Sequence, residues 1–151
     1  LGDIPAIGSF LDGAVLTTGY ETQEGTVTNT SDIHDLTAAL NYSYGNFKFG
    51  VQKKLHNEGQ SVATTDEIRY SDRAIGVVYA VNDALSISWN EYTSKRHNTS
   101  SANPEQEITA INVGYTMGGM TIGFQEASAD NANFVLNAED DSRTIGVSVA
   151  F

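Results

Sequence analysis

The chain is expected to be all-β, an antiparallel transmembrane β-barrel, and three observations predict this. Apolar residues recur at every second position in eight successive segments, short turns alternate with long polar connections, and aromatic residues collect near both ends of the segments. Period 2 over stretches rich in Tyr, Phe, Val, Ile and Thr selects strands over helices.

The first segment lies near Ala14 to Thr22, with Leu16, Thr18 and Tyr20 on one parity. The second, about Ile33 to Tyr44, sets Leu36, Ala38, Leu40, Tyr42 and Tyr44 against Asp35, Thr37, Ala39, Asn41 and Ser43. The third, Phe47 to Leu55, opposes Phe49 and Val51 to Lys48, Gln52 and Lys54, with Lys53 breaking the apolar parity. In the fourth, about Ile68 to Val81, Ile75, Val77 and Tyr79 alternate with Ala74, Gly76 and Ala80, and Val78 is the exception. The fifth, Leu85 to Tyr92, alternates Leu85, Ile87 and Trp89 with Ser86, Ser88 and Asn90. The sixth, about Glu107 to Met117, alternates Ile111, Val113 and Tyr115 with Asn112, Gly114 and Thr116. The seventh sets Met120, Ile122 and Phe124 against Thr121, Gly123 and Gln125. The eighth is the terminal TIGVSVAF, Thr144 to Phe151.

Tyr44-Gly45-Asn46, Asn82-Asp83 and Gly118-Gly119 carry the residues that tight hairpins need. The connections Glu21 to Asp32, His56 to Glu67, Ser94 to Gln106 and Ser128 to Arg143 read as long polar loops, all at one end of the sheet. Outer-membrane barrels sort their connections this way, whereas the loops of a soluble sandwich are not sorted by end. Tyr44, Phe47, Tyr79, Tyr115 and Phe151 fall near the short turns and Tyr20, Trp89 and Phe124 toward the long loops, two belts suited to the interfaces of a bilayer.

Composition narrows the function. Lys+Arg total 8 against Asp+Glu 19, for a formal charge of -11, and such a surface repels phosphate backbones. Nucleic acid is therefore not an expected partner. Cysteine is absent, which excludes disulfides and thiolate chemistry. No apolar run approaches the ~20 residues of a membrane helix, although strands of about 9–11 residues cross a bilayer without one. His34, His56 and His97 have no ligand spacing, no nucleophile elbow or phosphate-cradling glycine loop is present, and no metal, cofactor or catalytic residue is expected. The opening LGDIPAIGSF has no Met, basic segment or cleavage site, so the expectation is a mature form or a piece of a longer protein. The whole chain, 1–151, reads as one barrel domain, with 1–12 the least assignable part.

A chain that ends on its best strand raises the matter of what the strand pairs with. In a closed barrel the last strand pairs with the first, and the pairing removes both exposed edges.

TIGVSVAF, preceded by VGYTMGGMTIGF and IGVVYAVNDALSISW, resembles the C-terminal part of a Gram-negative general-diffusion porin of the alphaproteobacterial kind, over about Gly13 to Phe151. The resemblance implies an outer-membrane location, a sixteen-stranded barrel narrowed by an inward loop, a homotrimer, and passive passage of small hydrophilic solutes and ions rather than enzymatic work. It also implies that Ile145, Val147, Val149 and Phe151 form the signal read by the barrel-assembly machinery.

Eight segments fit either a complete small barrel, acting in adhesion, binding or envelope structure through its loops, or half of a larger one. An eight-stranded barrel is filled by its inward side chains. Here the inward parity is dominated by Gly, Ala, Ser and Thr, which suits the wall of a wider channel. The pore-lining candidates are Asp35, Asn41, Lys48, Gln52, Lys54, Ser86, Ser88, Asn112 and Thr121, with Lys48 and Lys54 as rungs of a basic ladder. Leu40, Tyr42, Phe49, Val51, Ile75, Val77, Ile87, Ile111, Val113, Ile122, Ile145 and Val147 are expected to face lipid or a neighbouring subunit. The acids of the long loops, Glu139 to Asp141 among them, would keep the loops soluble or bridge to lipopolysaccharide through divalent cations.

Overall fold

A computed structural model of the chain describes residues 13–24, 32–58, 69–97 and 104–150. These form eight strands: β1 (Ala14–Gln23), β2 (Ile33–Tyr44), β3 (Phe47–Asn57), β4 (Arg69–Ala80), β5 (Leu85–His97), β6 (Glu105–Met117), β7 (Met120–Asp130) and β8 (Glu139–Val149). Each pairs antiparallel with its sequence neighbours, in the order β1 to β8. Among the described residues no pairing joins β8 to β1, so the sheet has two edges. Phe151 and the opening dodecapeptide lie outside the described residues.

The strands other than β2 and β4 run further than alternation alone indicated, on the loop side. β3 continues to Asn57, β5 to His97 and β7 to Asp130, because polar and charged residues pair through their backbones once the strand has left the apolar zone. The expectation of a long polar loop over Ser128 to Arg143 is corrected. Half of that stretch is strand, and the connection is the compact turn 131–138. Glu139, Asp140 and Asp141 are accordingly residues of β8 and not of a loop. The turn expected at Asn82-Asp83 spans 81–84, where the Asn82 side chain accepts from the backbone N–H groups of Ala84 and Leu85, both at 2.9 Å. Gly118 and Gly119 have φ of 54° and 84°, the left-handed pair that a two-residue hairpin needs. The sorting of connections survives: 45–46, 81–84 and 118–119 join strands at one end, and β1 and β2, β3 and β4, β5 and β6, and β7 and β8 are joined from the other.

Register places side chains on two faces. Leu40, Val51 and Ile75 are consecutive partners on one, as are Tyr42, Phe49, Val77, Trp89 and Ile111. This face is open: Ile145 is 74% exposed and Leu16 70%. Ala110 is the one buried hydrophobic residue among those described. Among the described residues there is therefore no dry core, and with each apolar side chain left in water forgoing about 1.5–3 kcal/mol, the sheet needs an apolar medium against this face.

The apolar band is inclined to the register. On β1 to β3 it reaches Tyr20, Leu36 and Leu55, whereas on β5 to β7 it stops at Trp89, Ile111 and Phe124, beyond which Glu91 and Glu126 take over. A level membrane crossed by tilted strands produces such a slope. Trp89 and Phe124 thus mark the upper edge of the band without standing at the strand ends, which extend well past it.

Candidate functional site

The opposite face carries small and polar groups. One row runs Asn41, Gly50, Gly76, Asn90, Ala110, Ala127 and Ser142; the next runs Ser43, Lys48, Val78, Ser88, Asn112, Gln125 and Thr144. All nine pore-lining candidates lie on this face: Asp35 and Asn41 on β2, Lys48, Gln52 and Lys54 on β3, Ser86 and Ser88 on β5, Asn112 on β6 and Thr121 on β7. The twelve apolar residues expected to face lipid all lie on the other face. The paired register of short side chains lets them bond laterally. Asn112 Nδ2 donates to Ser88 Oγ and Asn90 Oδ1, both at 3.2 Å, and the hydroxyls of Thr116 and Thr121 are 3.0 Å apart.

Over the glycines of β7 and β8 this face is open. A Cβ added at Gly123 or Gly146 would meet nothing within 4 Å, whereas at Gly50 it would meet Asn41 Oδ1 at 3.0 Å. Nothing described fills the space above β7 and β8.

Toward the loop end the face becomes charged. Asp35 Oδ1 accepts from His56 Nδ1 at 2.7 Å and stands 3.4 Å from Lys54 Nζ. Lys54 is therefore ion-paired, and Lys48, near the short turns, faces Ser43 and Val78. The two lysines share a face but differ in surroundings. Beside this group Ser94 Oγ donates to Asp72 Oδ1 at 2.7 Å, and Ser94 is itself buried. His34 and His97 are on the apolar parity and His56 on the polar one, and among the described residues no group of three His, Asp or Glu side chains is placed to hold a metal ion.

The connection 131–138 lies against β6 at this end. Asn131 Nδ2 donates to the Glu105 carbonyl at 2.9 Å, and the Asn133 N–H donates to Gln106 Oε1 at 3.1 Å. The Asn137 N–H donates to Asn131 Oδ1 at 2.9 Å, which closes the turn. Phe134 is set over the polar face, its ring 5.8 Å from that of Tyr70 and 5.2 Å from the Arg96 guanidinium carbon. Arg96 Nε is buried without a hydrogen-bond partner, and the ring adds a cation–π contact to this guanidinium. Lys54, His56, Tyr70, Asp72, Tyr92 and Phe134 contribute to a cavity of about 340 Å³.

Most of this cluster was absent from the candidates drawn from the sequence. Tyr70, Asp72, Tyr92, Ser94 and Arg96 continue the polar parity of Ala74 and Asn90, so extending that parity past the apolar segments would have found them. Phe134 had no such signal, because it sits in an Asn-rich stretch without alternation.

No protein-family model matches the sequence, and no curated protein matches it. Solved structures do match. The loop L8 deletion mutant of OmpT, an outer membrane protein of Vibrio cholerae, gives a TM-score of 0.70 at 11% identity, over 90% of this chain and 49% of that one. Outer-membrane expressed OmpT gives 0.67 at 13% identity, over 90% and 51%. A trimer form of the in-vitro folded protein gives 0.65 at 11% identity, over 89% and 50%. The chain spans about half the length of these structures. Ail, an outer membrane protein of Yersinia pestis, is matched over 91% of this chain and 96% of that one, but at a TM-score of 0.40 the superposition is too loose to carry an architectural argument. The fold is that of the outer-membrane β-barrels of Gram-negative bacteria.

Proposed function

We propose that this sheet is part of the wall of a water-filled channel in the outer membrane, a porin through which small hydrophilic solutes and ions diffuse. The observation that carries the reading is the polar face, whose small side chains bond to one another along the sheet and leave open space over Gly123 and Gly146. Such a wall replaces part of an ion's hydration without binding it tightly, and selects by width and charge. The two edges of the sheet and its match to half of a longer barrel support placing further strands between β8 and β1. In that arrangement the apolar face meets lipid or a second subunit of a homotrimer. The terminal strand serves the barrel-assembly machinery, and the acids at the loop end meet the lipopolysaccharide surface. The Asp35, Lys54 and His56 group supplies wall charge, and diffusion involves no covalent step.

A second reading is a small closed barrel that binds through its loop end. It draws on two features: eight strands suffice for the smallest outer-membrane barrels, and the 131–138 connection is ordered over a cavity. Single-channel conductance of the protein purified from its native membrane, with its intact mass, separates the two. Large ohmic steps from a chain much heavier than 16.2 kDa are expected. A silent bilayer with a mass matching this chain overturns the channel in favour of the closed barrel.

A further inference from the structure

We infer that the cavity beneath Phe134 is a binding subsite for a neutral polyhydroxylated solute, a sugar. The inference deepens the channel reading, on which its place along a solute path rests, while its binding chemistry stands on local geometry.

The turn that delivers Phe134 is built against conformational preference. Asn131, Asn133 and Asn137 have φ of 51°, 56° and 59°, and Asn tolerates this left-handed region. Phe134, at φ 60°, does not have that tolerance. Backbone strain of this kind persists only where surrounding contacts over-determine it. The contacts here are the two hydrogen bonds to Glu105 and Gln106 on β6 and the ring's seat against Tyr70 and Arg96. Their joint effect is to place an aromatic ring over a polar surface, where the hydrophobic effect alone gives it little reason to be.

The cavity so formed is framed by the rings of Tyr70, Tyr92 and Phe134, and its polar lining includes Lys54, Asp72 and Gln106. Its volume of about 340 Å³ falls at the small end of ligand sites, which run from about 300 to 1,000 Å³. Aromatic faces beside both donors and acceptors match a sugar ring, which offers an apolar C–H face and a rim of hydroxyls. Charge argues against an anion as the preferred occupant. Lys54 is paired with Asp35, Arg96 is covered by the Phe134 ring, and Asp72 adds a second carboxylate to the site. A free cation finds Lys54 and Arg96 nearby. A neutral ligand meets neither penalty.

The test uses the protein purified from its native membrane in a sugar-free amine-oxide detergent, with saturation-transfer NMR against methyl α-glucoside and maltose, and with phosphate titrated as competitor. Saturation of the sugar protons is expected. Phe134→Ala is expected to weaken binding roughly three- to tenfold, the loss of one aromatic contact, with Phe134→Tyr restoring it. Asp72→Asn keeps the turn untouched and is expected to weaken binding as well, which keeps the inference testable if Phe134→Ala fails to fold. Absence of sugar binding, equal binding by parent and both weakening variants, or displacement of the sugar by phosphate each overturns the subsite. Conductance of the same preparation is read separately: a conducting protein without sugar binding refutes the subsite alone, and a silent one that binds sugar through Phe134 refutes the channel alone.

Discussion

The two faces of strands β5 to β8 differ in the opposite sense from those of a water-soluble sheet. On one, Ile87, Val113, Phe124 and Ile145 follow one another across the register, and Ile87, Phe124 and Ile145 are exposed. On the other, Ser88, Asn112, Gln125 and Thr144 do the same one residue away, and the polar groups bond among themselves. A soluble protein would bury the first row and solvate the second. Here the apolar row needs an external apolar solvent, and the polar row needs water or polar partners. A one-residue slip of any strand would exchange the two environments, which is why the register is strongly specified.

The largest expected effect comes from breaking the apolar row. Val113→Arg puts a cation between Ile87 and Phe124, and near the bilayer midplane this costs about 2–4 kcal/mol. Denaturant titration of folding into vesicles measures it, and a variant as stable as the parent would mean that the faces have been assigned backwards.

A smaller effect is expected on the polar face at the loop end. Asp35→Asn removes the carboxylate that Lys54 and His56 share. In a half-exposed pair the stability change should stay within about 1 kcal/mol, whereas the reversal potential in a salt gradient should move toward anions. An unchanged potential would show that this group exerts no control over the ions that pass.

The smallest stability effect is expected at Gly146. With nothing within 4 Å of a built Cβ, Gly146→Phe should alter folding by no more than about 0.5 kcal/mol, as for an exposed surface site, while lowering conductance. Loss of several kcal/mol would mean that the space is occupied, as the interior of a small closed barrel is.

Legibility followed periodicity. β2 was readable to its ends because Leu36 to Tyr44 alternate without a break, and β3, β5 and β7 only as far as the apolar residues continued. Past Trp89 the strand is carried by Glu91, Thr93 and Lys95, residues that also suit loops, and backbone pairing with β4 and β6 decides in favour of strand. The Ser128 to Arg143 stretch misled for the same reason: its charged ends are strand and only 131–138 turns.

Alternation of apolar and small polar residues, by itself, determined that this chain makes strands, which side chains share a face, and that its hydrophobic surface is turned outward. Those are local properties, since period 2 leaves each residue one of two faces. Tertiary structure alone decided that Asp35, Lys54 and His56 meet and that Phe134 lies over Tyr70 and Arg96. Those contacts depend on the register between neighbouring strands and on a strained turn folded back over β6, and neither is written in the pattern of any one segment.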